Sequence, residues 1–253
     1  MGWYAPNIYL VGGREAALID TGYRDTNVVQ TCIDYVHRMA PDGLAYILVT
    51  HPHPDHVGGC NTIREATGAR IVLHSMGVAR AGSYRVTPDV LVDDGDVLTV
   101  GGARIQVVAT PGHTSDHVCF YLEGEEVLFT GDHILGFGTP VIAPDGDMAQ
   151  YIESLRKLLD YPIRLICPGH GPLVRAPHRK IRELIAHRME REQQLLTLLG
   201  GGGKSVEQLA AEIYPELDPR LMDLALSQLR AHLQKIVQEG RAAASGEEYV
   251  LPS

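Results

Sequence analysis

The 253-residue sequence has no apolar run approaching the roughly 18 residues that a membrane-crossing helix needs. Its opening residues, Met1-Gly2-Trp3-Tyr4-Ala5-Pro6, offer neither a basic segment nor a signal-like apolar stretch, so a cytoplasmic protein without a membrane partner is expected. The four cysteines, Cys32, Cys60, Cys119 and Cys167, form no C-x-x-C pair and point to neither a disulfide framework nor a thiolate zinc site. Buried free thiols are the expectation. Basic residues are scarce at the start: residues 1–149 carry 8 basic and 18 acidic side chains, whereas 150–253 carry 14 and 13. So acidic a first part repels a polyanion at long range and counts against nonspecific nucleic-acid binding. What the chain does have is an ordinary globular composition, 45% hydrophobic and 21% charged, and twelve histidines. Neutral imidazole is the commonest side-chain ligand for zinc and similar ions, which makes that histidine content the feature to follow.

The first 175 residues read as short strands alternating with helices. Segments 7–11 and 16–20 flank Gly12-Gly13 as a hairpin, and Asp25 is placed to cap a helix running to Met39. Residues 46–50 form a buried-strand run that delivers the chain to His51; further strands are expected at 70–73, 97–100, 104–109, 118–122, 127–130 and 164–167. This order suggests two sheets packed face to face with helices outside. After Pro177 the apolar positions Ile181, Leu184, Ile185, Met189, Leu195, Leu196 and Leu199 recur at helical spacing, and the helix ends at Gly200-Gly201-Gly202-Gly203. A short helix from 206, a second apolar stripe from Met222 to Val237 and a hairpin in the tail follow, the order of a winged-helix module. The expected division is a domain at 1–175, a long helix and glycine linker at 176–203, and a small module at 204–253.

The chemistry is concentrated in His51-Pro52-His53-Pro54-Asp55-His56-Val57-Gly58-Gly59. With Pro52 and Pro54 opposing helix, an extended segment turns His51 and His53 to one side, where they can share a metal. As the chain curls toward Gly58, Asp55 and His56 can reach a second position, offering a hard oxygen and an imidazole. Three more loops leave apolar strands beside glycine with a ligand-type residue: Pro111-Gly112-His113, Gly131-Asp132-His133 and Pro168-Gly169-His170. His133 is read as a packing residue because neighbours at a strand end point apart, and His117 as a supporting histidine rather than a ligand. His74 has no assigned role.

The pattern H-x-H-x-D-H followed by a distal His, an Asp and a final His resembles that of metallo-β-lactamase superfamily hydrolases. The resemblance implies an αββα sandwich, with His51, His53 and His113 on one divalent metal ion, Asp55, His56 and His170 on another, and Asp132 bridging them. Zinc is the first choice of metal, with iron or manganese also compatible. Gly131-Asp132-His133-Ile134-Leu135-Gly136, Pro168-Gly169-His170-Gly171-Pro172, the helix near His187-Arg188 and the final winged-helix region resemble the subgroup containing the lactamase-beta-like protein 2. Two positions depart from it. The chain starts close to its first recognisable strand, which bears on the pocket's rim, and His133 stands where that protein has a cysteine, beside Asp132.

The leading functional expectation is hydrolysis of a small ester, thioester or lactone by hydroxide shared between two ions, with Asp55 and Asp132 as the catalytic carboxylates. The runner-up, a metal-dependent endoribonuclease on single-stranded RNA, is what the subgroup resemblance implies. The basic run Arg175, His178, Arg179, Lys180, Arg182, His187, Arg188 and Arg191 would help it, although Glu183, Glu190 and Glu192 intersperse that run as on a solvated helix face. An iron-dependent redox enzyme is a third reading, since the superfamily resembled includes di-iron oxygen reductases and an iron dioxygenase acting on persulfides; the reductases replace the second histidine of the motif with glutamate, which His53 argues against, and a bound-iron spectrum decides the rest. β-Lactam cleavage is at most a side activity, and the terminal module can equally bind nucleic acid, cover the pocket or form a homodimer.

Overall fold

A computed structural model describes residues 5–252; residues 1–4, which open the N-terminal segment read above, and 253 lie outside the described residues. The first sheet has the order β1-β2-β3-β4-β5, from Tyr9–Gly12, Glu15–Ile19, Gly43–Leu48, Arg70–His74 and Val90–Val92. Its β1–β2 pair is antiparallel and the rest are parallel. The second sheet has the order β10-β9-β8-β7-β6, from Leu165–Pro168, Val127–Gly131, Val118–Leu122, Ala103–Ala109 and Val97–Val100, antiparallel except for β9 and β10.

Three apolar layers hold the sheets. Between them lie Ile19, Leu48, Val72, Val100, Ile105, Val107, Phe120 and Phe129, contributed by both inner faces. Helices α1 (Thr26–Met39), α2 (Pro54–Val57), α3 (Cys60–Thr67) and α4 (Val78–Ser83) lie along the first sheet, and Val29, Ile33, Val36, Cys60, Ile63 and Ala81 pack on its outer face. On the far side, α5 (Met148–Leu158) and the front of α6 (Pro177–Leu199) place Tyr151, Ile152, Leu155, Ile181 and Leu184 against the second sheet. This is the expected αββα sandwich, its cores driven together by apolar burial. No helix among the described residues is long and apolar enough to cross a membrane.

Local sequence explains the element boundaries. The Asp25 carboxylate accepts hydrogen bonds from the Asn27 and Val28 amides and caps α1, as expected. Pro54, expected to oppose helix, instead starts α2: at the first helical position proline loses no hydrogen bond and its fixed φ suits the turn. Helix α5 is not among the expected elements, because its apolar run is short and directly follows the polar turn Asp145-Gly146-Asp147; Asp147 caps it by accepting from the Gln150 amide. Three of the four cysteines are buried and all are free.

Beyond α6 come β11 (Lys204–Ser205), α7 (Val206–Ile213), α8 (Met222–Gln238) and the hairpin β12 (Ala243–Ser245) and β13 (Glu248–Val250), with β11 pairing to β13. Leu195 and Leu199 of α6 share an apolar core with Val206, Leu209, Leu229, Leu233 and Ile236. The last turns of α6 therefore belong to the module's core while its first turns cover the sandwich. The fully buried Glu192 anchors the junction, with Lys235 Nζ 2.9 Å from its Oε1 and Arg241 donating to Oε2 at 3.0 Å. Burial alone would raise the Glu192 pKa, but His232 and Lys235 outweigh it and hold it at about 2. A folded-state pKa below the unfolded value gives stability that is complete above the unfolded pKa, near 4.3, and lost as pH falls toward about 2. Glu192→Gln should destabilise the protein by about 3 kcal/mol at pH 7, as removing one partner of a buried pair does. Urea unfolding at pH 7 and pH 3 checks this: the gap between the two proteins should narrow at the lower pH.

Candidate metal centre

All four expected loops leave the same edge of the sandwich. Strand β3 leads to His51 and His53, α2 carries Asp55 and His56, and β7, β9 and β10 lead to His113, Asp132 and His170. Parallel pairing of β2 with β3 and of β9 with β10 brings their C-terminal ends together. The loop of His113 fits only because residue 112 is glycine: φ is +142°, and a Cβ there would lie 2.3 Å from the Tyr151 Cα of α5. The His170 loop is strapped by the N-terminal segment, where Asn7 Nδ2 donates to the Pro168 and Gly171 carbonyls at 2.9 and 2.8 Å and its amide donates to Gly169 O at 2.7 Å.

Three groups of ligand atoms result, each with its atoms within 4.8 Å of one another: His51 with His53 and His113, Asp55 with His56 and His170, and His51 with His56 and Asp132. In the first group His53 Nδ1 lies 2.9 Å from His51 Nε2 and 3.2 Å from His113 Nε2. In the second, His170 Nε2 is 3.2 Å from Asp55 Oδ2 and His56 Nε2 is 3.9 Å from that oxygen. Asp132 faces both ways: its Oδ1 is 3.5 Å from His56 Nε2 and 3.4 Å from His170 Nε2, while its Oδ2 is 3.8 Å from His113 Nε2. The seven residues singled out in the sequence thus converge on one focus.

Backbone and buried polar groups decide which nitrogen of each imidazole is presented. The Val141 carbonyl, 2.5 Å from His113 Nδ1, can only accept, so that nitrogen carries the proton and Nε2 turns inward with a lone pair. Asp20 does more. Its carboxylate accepts from His56 Nδ1 at 2.7 Å, from the Thr50 amide at 2.8 Å and from the Thr50 hydroxyl at 2.8 Å. Because the Thr50 proton is directed to Asp20, its oxygen accepts from His51 Nδ1 at 3.1 Å. One carboxylate thereby orients a histidine of each group. Asp20 is 2% exposed and holds a left-handed backbone, φ 57°, which aspartate tolerates better than most residues. His117, read as a supporting residue, accepts from the Asp132 amide at 3.2 Å and fixes the carboxylate that faces both groups.

Sequence reasoning missed Asp20. The available signal was its place at the end of an apolar strand before Thr21-Gly22, the same arrangement as in the three glycine-flanked loops. It also missed Tyr23, whose pKa is raised by burial and then by the neighbouring Asp55 and Asp132 carboxylates, so that its hydroxyl stands at the edge of the cluster. His133 lies outside the three groups and packs on Tyr151 with ring centroids 4.9 Å apart; burial, then His113, lowers its pKa to about 3. His74 lies outside the three groups and accepts from the Met76 amide.

The electrostatics suit cations. Burial would raise the Asp132 pKa, but His56, His113 and His170 pull it well below the ordinary carboxylate range. Burial, followed by the charge of His113, lowers His53 to about 4 and keeps it neutral. His56 behaves oppositely: burial disfavours its charge, yet Asp20 and Asp132 raise its pKa well above normal, so a bound cation would take the place of that proton. The buried atoms His56 Nε2 and Asp132 Oδ1 have no hydrogen-bond partner, as expected of groups whose partner is an ion. Imidazoles with two carboxylates form a donor set suited to borderline divalent metals. The residues present fit a pair of such ions.

Known proteins match this chain over most of its length. The metallo-beta-lactamase superfamily pattern matches residues 1–170, and the beta-lactamase associated winged helix domain matches residues 205–248. A beta-lactamase-like protein 2 homolog of Caenorhabditis elegans is 33% identical over 240 residues, 92% of this chain and 79% of its own length. An atrochrysone carboxyl ACP thioesterase of Cryptosporiopsis is 31% identical over 260 residues, covering 94% of this chain and 76% of that protein. Among solved structures, a metallo-beta-lactamase family protein of Thermus thermophilus aligns with a TM-score of 0.78 at 26% identity, over 98% of this chain and 94% of that one. With its ligand loops on one edge of an αββα sandwich and a winged helix behind them, the chain belongs to the metallo-beta-lactamase superfamily of metal-dependent hydrolases.

Proposed function

We propose that the protein hydrolyses a small ester, thioester or lactone at a centre of two divalent metal ions, zinc foremost. The observation that carries this reading is the Asp132 carboxylate, which turns one oxygen to the group formed by Asp55, His56 and His170 and the other to His113 of the group completed by His51 and His53. When bound, such a pair of ions supplies Lewis acidity, making hydroxide available at neutral pH and polarising a carbonyl oxygen. His51, His53 and His113 would hold one ion, Asp55, His56 and His170 the other, and Asp132 both.

The chain's own groups supply orientation and proton handling. Asp20, Thr50 and the Val141 carbonyl keep the inward nitrogens of His56, His51 and His113 available before any substrate arrives, so little reorganisation is needed during reaction. Asp55 is the proton acceptor for the attacking water. Burial opposes its charge, but His170 and His56 hold its pKa below the ordinary value, so it is ionised at neutral pH. The balance is simple: the acyl C–O or C–S bond is replaced by a C–O bond from water, and the water's protons end on the departing oxygen or sulfur and in solvent.

Names borne by relatives that match most of this chain favour a thioester, since proteins of Cryptosporiopsis and Aspergillus fumigatus are called ACP thioesterases. The basic run of α6, which would have favoured RNA, is divided among other tasks: Arg188 is buried and donates to the Pro140 carbonyl, Lys180 donates to Gly138 O, and Arg191 stacks on Tyr214.

Elemental analysis of purified protein should find two divalent ions per chain, and chelation should remove turnover of a thioester and a lactone together. Failure to turn over any ester, thioester or lactone, with labelled RNA cleaved in a steeply salt-dependent way, would overturn the proposal. Asp132→Ala should abolish every metal-dependent activity at once. Asp20→Asn, which keeps shape but loses the charge that orients His56, should lower metal affinity or kcat/KM about 10- to 100-fold, measured by chelator competition and steady-state kinetics.

A further inference from the structure

The segment after β2 leads from the ligand cluster into a cleft of about 490 Å³. Its walls include Tyr23 and Arg24, Asn61 and Thr62 of α3, Ser83 at the end of α4 and Arg85 beyond it. It meets the cluster at Tyr23, whose hydroxyl faces Asp55, and at Pro54, the residue before Asp55. No carboxylate lines it among the described residues, although residues 1–149 carry 18 acidic side chains against 8 basic ones. Both arginines are exposed, and neither guanidinium has an ion pair or hydrogen bond among the described residues. Their neighbours are engaged: Arg64 donates to the Thr87 carbonyl and Arg80 to Asp116. Two uncompensated like charges in one cleft repel each other, and an anion between them relieves that repulsion.

The backbone fixes where both arginines emerge. Gly58 permits the approach of the Tyr23–Arg24 segment, since a Cβ at 58 would lie 2.3 Å from the Arg24 amide nitrogen. Arg85 has φ 61°, a left-handed conformation rare for a residue with a side chain. It is held there by Asn61 Nδ2, which donates to the Arg85 carbonyl at 2.9 Å, and by its own amide donating to Gly82 O at 2.9 Å. A glycine at this position would be free of that strain, so the outlier marks Arg85 as a candidate functional residue.

We propose that this cleft is an anion subsite in which Arg24 and Arg85 grip a phosphate group carried on the substrate, at a distance from the carbonyl that reaches the ligand cluster. Phosphate fits better than carboxylate: two guanidinium forks with the Thr62 hydroxyl offer more donors than two carboxylate oxygens accept, whereas phosphate presents three oxygens. The cleft's volume is that of a small-molecule pocket. The proposal rests on the hydrolase reading above and narrows it to a phosphate-bearing ester or thioester.

The test uses the full metal-loaded chain and a series of acetyl thioesters whose leaving thiol ends in a hydroxyl or in a phosphate monoester, with alkyl spacers of increasing length. At one spacer length the phosphate compound should exceed its hydroxyl twin at least tenfold in kcat/KM. In Arg24→Gln and Arg85→Gln that ratio should fall at least fivefold, with KM carrying most of the change. A ratio near one at every length, while the hydroxyl compounds are turned over, overturns the subsite and leaves the hydrolase reading standing. A ratio that survives both substitutions also overturns it, since the phosphate is then held elsewhere. No turnover of any compound in the series or of a simple ester and a lactone run beside it overturns the hydrolase reading itself, and RNA cleavage that depends on Arg24 and Arg85 replaces the small substrate with a polynucleotide.

Discussion

The buried carboxylate of Asp20 is the constraint on which the ligand geometry depends. Through His56 directly, and through Thr50 to His51, it sets two of the inward nitrogens, one in each three-residue ligand group. A carboxylate at 2% exposure is costly to bury unless it is hydrogen-bonded, and here three donors reach it. The same arrangement serves burial and function together: the hydrogen bonds that make Asp20 tolerable inside the sandwich are those that leave the histidines able to bind a cation. The left-handed backbone at Asp20 is part of that requirement, because it turns the side chain off the strand and under the loop of His51.

The surrounding charge follows a consistent logic. Carboxylates and imidazoles compensate one another within the cluster, yet His56 Nε2 and Asp132 Oδ1 end without partners. Groups that a fold normally satisfies are left facing one another at this edge, where a bound ion would complete them. Outside the cluster, the neighbouring cleft is lined by two arginines and no carboxylate although the first part of the chain is acidic.

Much of this was legible in the sequence. Ligands four-in-six after an apolar strand, and three glycine-flanked loops, marked His51, His53, Asp55, His56, His113, Asp132 and His170, because metal binding constrains residue type as well as position. The layered fold followed from strand and helix periodicity. The elements that escaped were those whose signal is tertiary. Asp20 is one aspartate among many until β2 and β3 pair in parallel and bring it under Thr50. Helix α5 has a short apolar run whose helical state depends on packing against the Gly112 loop. Pro54 reads as a breaker because its position within the turn, first rather than interior, is set by where the chain leaves the sheet.

Helix α6 carries a consequence for how the molecule can be divided. Ile181 and Leu184 help to seal the sandwich, and further along the same helix Leu195 and Leu199 are enclosed by the winged-helix region, while Gln228 of α8 hydrogen-bonds both the amide and the carbonyl of Ile142 near the ligand edge. A truncation that removed the winged helix would strip one end of this rod of its cover and release the loop behind His113. The two regions that family comparison separates are therefore joined twice, by the shared helix α6 and by the Gln228–Ile142 hydrogen bonds, so that neither is packed independently of the other.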